Sequence, residues 1–355
     1  MDIQASLKQF KANFDPRLKA YFDARIAEAE KEDALVAEAL EHVKMMTLAG
    51  GKRLRPAFML AGYESANGAE RERLLQTAIA IELIHMFLLI HDDIIDRDAL
   101  RHGVATLHER YADWGRLKLG LTDPAHFGNS IALIIGDLLF SLGNDIIFRS
   151  GFPYERVFEA LSKTQKIVSH TSVGEAKDIY LEYRKRASSE EVLKMYEQKT
   201  ARYTFEGPLH LGAILAGGSA ELLQALSAYS LPLGIAFQIQ DDILGIYGNE
   251  ERIGKPVGSD IKEGKMTILV TKAYELPGNH HAELSEILEK GASLTADDVE
   301  RFRVLIRESG SLEEAKNLTH TSIHAAKQAL EGVSLPEPTR AFLLGIADYM
   351  LAREY

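Results

Sequence analysis

Two pairs of adjacent aspartates, each closing a long apolar stretch, are the residues of this chain whose type and spacing best suit chemistry. The first pair is Asp92-Asp93, with Asp96 following four residues after Asp92, and the second pair is Asp241-Asp242. Carboxylates at the end of an apolar helix are costly to bury without compensation. Hard cations, with Mg²⁺ and a polyphosphate substrate as the expected combination, would compensate both clusters at one shared site.

The helical period places Asp92 and Asp96 on one face of the first apolar helix and Asp93 on another. Leu88 lies one turn deeper on nearly the same face, and His85 lies two turns deeper. This pattern predicts an apolar groove with a carboxylate mouth, where two aspartates, water and substrate phosphate would bind Mg²⁺. A merely solvated helix end is disfavoured because acidic residues at a helix C-terminus oppose the macrodipole.

Basic residues accompany both acidic clusters, as a metal-bridged diphosphate requires. They are Lys52, Arg53 and Arg55 in the stretch Gly50-Gly51-Lys52-Arg53-Leu54-Arg55-Pro56, then Arg97, Arg101, Lys199, Lys255 and Lys265. A helix N-terminus flanked by Lys and Arg favours anions, although a basic turn after a helix end explains the first stretch equally well on its own. That stretch is not a P-loop, which needs Gly-x-x-x-x-Gly-Lys-Ser/Thr.

Helical periodicity dominates the chain, and strand-like alternation is hard to find. The predicted helices span 33–48, 72–96, 131–148, 153–168, 190–215 and 220–246. Capping boxes are predicted at Ser188–Glu191 and Ser311–Glu314. The short connections predict one all-α domain over residues 1–355, a large helical bundle, and the glycine-rich segment 245–265 predicts a functional loop.

The composition limits the class of protein. The 46% hydrophobic content suits a large core, and the net charge of −11 argues against a nucleic-acid partner. The chain has no cysteine, which excludes disulfides and thiolate metal sites and suits a cytoplasmic location. No secretory signal is visible at the N-terminus. The run Ile79–Ile90, interrupted by Glu82 and His85, is judged too short and too polar to be a transmembrane segment.

The chain resembles the trans-type isoprenyl diphosphate synthases, the polyprenyl synthetases. The matching motifs are Gly-Lys-Arg-Leu-Arg-Pro (51–56), Leu-Ile-His-x5-His-Asp-Asp-x2-Asp (83–96), Arg101 with Gly103, Gly136-Asp137, Gly174-x3-Asp178, Lys199-Thr200, Phe-Gln-Ile-Gln-Asp-Asp (237–242) and Gly-Lys-x3-Ser-Asp-x4-Lys-x-Thr (254–267). Seven or eight motifs in the family's order make the resemblance highly specific. It implies an all-α bundle around a central cavity, usually homodimeric.

The resemblance also implies roles for the matched residues in head-to-tail condensation of isopentenyl diphosphate with an allylic diphosphate. Asp92, Asp96 and Asp241 would bind Mg²⁺, expected as three ions, which grips the allylic diphosphate. The same diphosphate would contact Arg101, Lys199 and Lys255. Isopentenyl diphosphate would be held by Lys52, Arg55 and His85, with His102 and Lys265 as further substrate-binding residues. Thr200 and Gln238 would flank and stabilise the forming carbocation.

Three positions depart from the family's usual pattern. His102 stands where a second arginine usually follows Arg101, so its charge would depend on pH and bear on isopentenyl diphosphate affinity. Gly245 stands where many members have aspartate, which resembles bacterial and especially actinobacterial members. Glu175 stands where the family often has glutamine.

The expected product is geranylgeranyl diphosphate. Phe87, five positions before Asp92, and Leu88, four positions before it, would form the floor that limits chain length, as in synthases of the archaeal type. Spacing alone does not place Phe87 in the groove, and a core position is the alternative. Farnesyl diphosphate synthase is the alternative activity, followed by a terpene cyclase or head-to-head condensing enzyme and a non-catalytic regulatory subunit.

Overall fold

The computed structural model describes residues 2–248 and 258–352, and helices account for most of these ranges. The elements of the first half are α1 (Ile3–Ala29), α2 (Ala34–Ala49), α3 (Leu54–Ser65), α4 (Arg71–Thr77), α5 (Ile79–Asp96), β1 (Leu100–Arg101), β2 (Val104–Ala105), α6 (Leu107–Trp114), a π-helix named π1 (Gly115–Leu119) and α7 (Pro124–Phe148). A two-residue antiparallel pairing joins β1 to β2.

The second half contains a second π-helix between two α-helices. Its elements are α8 (Tyr154–Arg184), α9 (Ser189–Tyr196), π2 (Glu197–Glu206), α10 (Gly207–Ala216), α11 (Ala220–Tyr247), α12 (Ser259–Glu263), α13 (Ile268–Glu275), α14 (His281–Leu288), a 3₁₀ turn (Gly291–Ser293), α15 (Ala296–Glu308), α16 (Ser311–Ala329) and α17 (Glu337–Leu351). The prediction of an all-α fold is therefore confirmed.

Side-chain caps fix where several helices begin. Asp33 accepts hydrogen bonds from the first turn of α2, and Ser188 and Glu191 form the predicted capping box of α9. The second predicted capping box is wrong. Gly310, with φ of 82°, is the residue before α16, while Ser311 already lies in the helix. The Ser311 hydroxyl instead donates to a carbonyl near the end of α15.

Two predicted helices are longer in the structure. Helix α7 begins at Pro124, seven residues before the predicted start at 131, because Asp123 caps it and proline suits the first helical position. Helix α8 continues to Arg184 instead of ending at 168. The extension matters because Gly174 to Asp178, on its second half, lies beside the chemistry-bearing residues described below.

Two glycines let α3 and α10 touch backbone to backbone. A Cβ atom on Gly62 would lie 1.9 Å from the carbonyl oxygen of Leu209, and one on Gly212 would lie 1.8 Å from that of Met59. Larger side chains at either position would push the helices apart. This contact holds the start of α3, which follows the Gly-Gly break, beside π2 and α10.

Three helical stretches are long and apolar enough to cross a membrane, judged by length and composition alone: Arg71–Asp96, Pro124–Phe148 and Ala220–Tyr247. The length argument applied to Ile79–Ile90 is therefore wrong, because helix extends that run on both sides. Within the protein, 72% of the most apolar window of the first stretch is buried, against 33% and 39% for the other two. Core packing accounts for the apolar character of the first stretch, while α7 keeps an exposed apolar face.

Candidate active site

The last turn of α5 carries Asp92 and Asp96, four residues apart and both partly exposed. Their side chains are 25% and 14% exposed, respectively. Asp241 is partly exposed on α11, which supplies the second acidic cluster. The three carboxylates named by the sequence thus come from two helices, and each keeps surface that a ligand can reach.

Asp93 points away from Asp92 and is buried against Arg101 of β1. The Nε of Arg101 donates to Oδ1 of Asp93 at 2.6 Å, and the guanidinium also lies 3.8 Å from Asp92 and 3.5 Å from Asp98. Burial raises the pKa of Asp93 to about 6, against the lowering effect of Arg101. Asp93 therefore fixes Arg101 beside the Asp92 carboxylate, where a guanidinium can meet an anion.

Lys199, in the first turn of π2, lies between two carboxylates of α8. Its Nζ is 2.7 Å from Asp178 and 2.7 Å from Glu175. Gly174 brings α8 close, since a Cβ there would lie 2.5 Å from the backbone nitrogen of Lys199. Burial alone would lower the pKa of Lys199, but Asp178, Asp92 and Glu175 outweigh burial and raise it. The lysine is held cationic near Asp92.

A second lysine connects the glycine-rich segment to α5. Nζ of Lys265 lies 2.9 Å from Glu263 and 3.5 Å from Asp96. Burial would lower the pKa of Lys265, but Asp96, Asp260 and Glu263 raise it. Two partly buried cations, Lys199 and Lys265, thus lie among the carboxylates of α5, α8 and the segment before α13. Lys255, also predicted here, lies outside the described residues.

A chain of hydrogen bonds ties π2 to α11. The hydroxyl of Thr200 donates to Gln238 at 2.7 Å, and the Gln238 amide donates to Asp242 at 3.0 Å. Asp242 also accepts from the hydroxyl of Tyr196, which in turn accepts from the backbone N–H of Ile268 at 2.9 Å. Burial raises the pKa of Asp242 well above its usual value. The chain fixes the orientation of the Gln238 amide.

The stretch after the Gly-Gly break divides its basic residues between the interior and the surface. Arg53, in the left-handed region at φ 55°, turns inward and bonds Asp15 at 2.7 Å and Glu82 at 2.9 Å. Lys52 stays near the surface, where its Nζ donates to the hydroxyl of Tyr349 at 2.6 Å. The sequence identified Glu82 only as an interruption of an apolar run, and here it neutralises a buried arginine.

Arg55 and His85 meet through a tyrosine of π2. The guanidinium of Arg55 lies 4.3 Å from the ring centre of Tyr203 and donates to Thr204 at 2.8 Å. The Tyr203 hydroxyl lies 2.7 Å from Nδ1 of His85. Burial lowers the pKa of His85 well below its usual value, and Arg55 adds to the effect. The buried Nε of Arg55 has no protein hydrogen-bond partner, so the pocket offers a donor to a ligand.

His102 lies in the turn between β1 and β2 and packs on the Gly-Gly break. Its φ is 52° and that of Gly103 is 77°, as a tight hairpin turn requires. A Cβ on Gly50 would lie 2.4 Å from the His102 ring. Burial lowers the pKa of His102, and Arg101 and Arg53 lower it further. The structure thus brings His102 next to the stretch that contains Lys52.

Phe87 and Leu88 are both partly buried on α5, below the carboxylates. The ring of Phe87 lies 5.1 Å from that of Phe140 on α7 and 4.8 Å from His91. Phe87 therefore closes the space between α5 and α7 together with Phe140, which the sequence did not identify. A separate groove of about 730 Å³ lies between α1, α3, α4 and α17 and contains none of these residues.

The donor set fits Mg²⁺ in the way that this ion is usually bound. In the described ranges, His, Cys, Asp and Glu form no group of three or more that could hold a metal without help. Mg²⁺ prefers one or two carboxylates completed by water and phosphate oxygens. Asp92, Asp96 and Asp241 would supply hard oxygen ligands, and Lys199 and Lys265, next to carboxylates of the site, would pair with the anion that completes the coordination.

Five residues with close contacts to the site were not predicted as site residues: Glu175, Asp178, Tyr196, Tyr203 and Asp242. The sequence does carry a signal for some of them. Asp178 falls in the Gly174-x3-Asp178 motif, and Asp242 adjoins Asp241. Tyr203 follows Thr200 by three residues, but its contact with His85 depends on how π2 packs against α5.

Comparison with known proteins identifies the family to which the chain is similar. The family model described as polyprenyl synthetase matches residues 36–305. The chain is 36% identical to a geranylgeranyl diphosphate synthase of Methanosarcina mazei, over 86% of this chain and 87% of that protein. It is 34% identical to a short chain isoprenyl diphosphate synthase of Methanothermobacter thermautotrophicus over the full length of both.

A solved structure supports the same relationship. Geranylgeranyl pyrophosphate synthase of Corynebacterium glutamicum, complexed with isoprenyl diphosphate and magnesium, superposes with a TM-score of 0.92 at 33% identity. The superposition covers 98% of this chain and 99% of that one.

Proposed function

Since the chain belongs to the polyprenyl synthetase family and is a prenyltransferase, we propose that it condenses isopentenyl diphosphate with allylic diphosphates to make geranylgeranyl diphosphate. The observation that carries this proposal is that side chains of one π-helix, π2, contact two separate groups of charged and polar residues. Lys199 and Thr200 of π2 adjoin the carboxylates and Gln238, while Tyr203 and Thr204 contact His85 and Arg55.

The first group suits the allylic diphosphate. Arg101, Lys199 and Lys265 place positive charge beside Asp92 and Asp96, and Lys255 belongs to the same proposed set. Asp92, Asp96 and Asp241 would hold Mg²⁺, and we propose three ions on the basis of the family resemblance. When bound, the metal supplies Lewis-acid stabilisation of the charge on the leaving diphosphate. The protein's cations share that task by holding the oxygens in place.

The second group suits isopentenyl diphosphate. Arg55 offers an unpaired buried Nε, and its guanidinium is oriented by Tyr203 and Thr204. Lys52 and His102 flank the same stretch, and His85 is kept neutral by burial, so it can hydrogen-bond without adding charge. Binding both substrates across π2 would orient the two reacting carbons toward each other, which is the main contribution the protein must make.

The proposed reaction needs no protein nucleophile. The allylic C–O bond breaks and its electron pair stays on the diphosphate. The electrons of the isopentenyl double bond then form the new C–C bond, and a proton is lost to the departed diphosphate. Thr200 and Gln238 present oxygen atoms beside the electron-deficient carbon, and the apolar groove below Asp92 excludes water from the cation.

The proposed floor of the groove is Phe87 with Phe140, whose rings lie 5.1 Å apart, and Leu88 lines the wall above it. A floor one turn below Asp92 leaves room for a chain of intermediate length. Geranylgeranyl diphosphate is the product that this floor and the names of the similar proteins favour. Farnesyl diphosphate is the alternative, if the floor lies higher than these two rings indicate.

We also propose a homodimer. Large apolar side chains are exposed on the outer faces of α7 and α8: Leu133, Ile134, Phe148, Tyr154, Phe158, Val173, Tyr180 and Tyr183. A cluster of exposed apolar side chains is typical of an interface, and a two-fold dimer would cover it. This face contains the exposed apolar side of α7, which a dimer interface would bury. We therefore propose a cytoplasmic enzyme in which α7 is an interface helix and not a transmembrane segment. Sedimentation of the wild type should show a dimer, and Ile134→Glu should sediment as a monomer.

The activity is tested by incubating the pure protein with labelled isopentenyl diphosphate, Mg²⁺ and one primer at a time. Dimethylallyl, geranyl and farnesyl diphosphate serve as primers, and dephosphorylated products are sized by chromatography. Geranylgeraniol supports the proposal, and Asp92→Asn should make none. Farnesol as the end product would overturn the proposed chain length alone. A cyclic hydrocarbon formed without isopentenyl diphosphate would overturn the reaction in favour of a cyclase.

A further inference from the structure

Three charged residues of π2, Glu197, Arg202 and Glu206, are hydrogen-bonded to one another and are separate from Lys199 and Thr204, which contact the proposed substrate subsites. Arg202 donates to Glu197, five residues before it, through Nε at 2.9 Å and Nη2 at 2.5 Å. It also donates to Glu206, four residues later, at 3.3 Å. Glu206 accepts in addition from Lys163 of α8 at 3.1 Å and from Ser227 of α11 at 2.7 Å.

The five-residue spacing distinguishes a π-helix from an α-helix. In an α-helix, side chains three and four residues apart are neighbours, while those five apart point in different directions. In a π-helix each N–H pairs with the carbonyl five residues back, so residues five apart stack on one face. The double hydrogen bond between Glu197 and Arg202 is therefore available to the π-helix and is lost if the segment becomes α-helical.

The sequence after π2 favours the same conformation. Gly207 donates its N–H to the carbonyl of Arg202, five residues back, and Pro208 has no N–H to donate. The ring of a proline also crowds the carbonyl four residues before it, which here belongs to Thr204. Pro208 thus disfavours the α-helical conformation at the C-terminal end of π2 but does not affect its N-terminal end. The Glu197–Arg202 pair stabilises the π-helical conformation from that N-terminal end.

The relative positions of Lys199 and Thr204, which contact the two proposed subsites, depend on this conformation. The same stacking that places Arg202 under Glu197 places Thr204 under Lys199 on the other side. Lys199 contacts the α8 carboxylates, and Thr204 accepts a hydrogen bond from Arg55. Because these two residues are five apart, the π-helical turn fixes the position of one proposed substrate subsite relative to the other. An α-helical segment would turn Thr204 away from the line of Lys199 and separate the subsites.

We propose that Arg202, paired with Glu197, is a positioning residue that selects the π-helical form of this segment and thereby aligns the two subsites. The inference rests on the proposed function for its catalytic consequence. Its structural part, the choice of helix form, stands without it. Glu197 and Arg202 are 20% and 25% exposed, so the pair is shielded enough to contribute more than a surface ion pair.

The test compares Arg202→Met and Arg202→Lys with Arg301→Met, which removes an exposed arginine of α15 that also donates two hydrogen bonds to one glutamate, Glu283. Arg202→Met should lower kcat about tenfold to a hundredfold, with smaller changes in KM, because misplacement of the reacting groups costs rate. Its amides from 202 to 207 should also exchange hydrogen faster. Arg202→Lys should be intermediate, and Arg301→Met should match the wild type in both measurements.

Wild-type kcat and exchange in Arg202→Met would overturn the proposal, as would a loss of kcat with unchanged exchange in this segment. If Arg202→Met does not fold, Glu197→Gln is subjected to the same two measurements with the same expectations. A wild type that makes no elongated product would overturn the proposed function. The exchange comparison would still decide whether Arg202 selects the π-helix.

Discussion

The hydroxyl of Thr200 donates a hydrogen bond to Oε1 of Gln238 at 2.7 Å, across the contact between π2 and α11. Since the Gln238 amide nitrogen donates to Asp242, its oxygen must face Thr200. The only hydroxyl proton of Thr200 is used in this hydrogen bond, so its oxygen can act towards a substrate only through its lone pairs. Two oxygens with partial negative charge are fixed at one place before any substrate binds, which is the arrangement that electrostatic stabilisation of a cation requires.

Thr200→Val should lower kcat about tenfold, because valine keeps the size of threonine but removes the oxygen that faces the developing cation. KM for isopentenyl diphosphate should change little, since Thr200 is not among the groups around Arg55. Steady-state kinetics with a saturating allylic primer check this. Thr171→Val is the matched control, because that buried hydroxyl bonds only within α8, and equal losses in both variants would contradict the proposed role.

Glu175→Gln should lower KM for the allylic diphosphate by about two- to fivefold, because it removes a negative charge 2.7 Å from Lys199 in a site that receives an anion. Lys199 remains paired with Asp178 and keeps its position. KM for each substrate, measured at several salt concentrations, checks the effect. Glu313→Gln removes an exposed carboxylate that pairs with Lys316 and serves as control. An unchanged or raised allylic KM in Glu175→Gln would exclude this electrostatic role.

Phe87→Ala should lengthen the product by at least one isoprene unit, because it opens the floor between α5 and α7. Phe140→Ala should act in the same direction, since the two rings lie 5.1 Å apart. Phe87→Leu fills part of the space and should give a mixture with less of the longer product. Chromatography of dephosphorylated products provides the measurement. Unchanged product lengths in both alanine variants would place these rings in the core and not in the groove.

The parts of the structure that follow from local sequence were predictable, and those that depend on contacts between distant residues were not. The helix that ends in Asp92 and Asp96 follows from its apolar period, and the α9 capping box from Ser188 and Glu191. The inward turn of Arg53 depends on Glu82 from another helix, so the sequence alone left it as one of three equal basic residues.

The π-helix illustrates the same limit within the site. Residues 190–215 have the composition of a continuous α-helix, and only the pairing of Arg202 with Glu197 and the position of Pro208 indicate a wider turn. The contacts of Tyr203 with Arg55 and His85 follow from that turn together with the packing of α3 and α5 against π2. Motifs thus identified the charged ligands, while the neutral residues that orient them required the fold.

His210, buried on α10 beside Glu206 and Ser227, should make stability depend on pH. Burial lowers the pKa of His210 to about 4, and Lys163 lowers it while Glu206 opposes the shift. Between the ordinary histidine value and about 4, the unfolded chain binds a proton that the folded chain does not. Stability is therefore full above the unfolded pKa and falls as pH drops through this window, by up to about 3 kcal/mol.

Urea unfolding of the wild type at pH 7.5 and at pH 4.5 measures this loss. His210→Gln, which keeps a polar side chain but cannot titrate, should show a smaller difference in the free energy of unfolding between the two pH values. His320→Gln, at an exposed position on α16, is the matched control and should retain the wild-type difference. If all three proteins lose equal stability on acidification, other groups must carry the pH dependence, and the buried histidine contributes none of it.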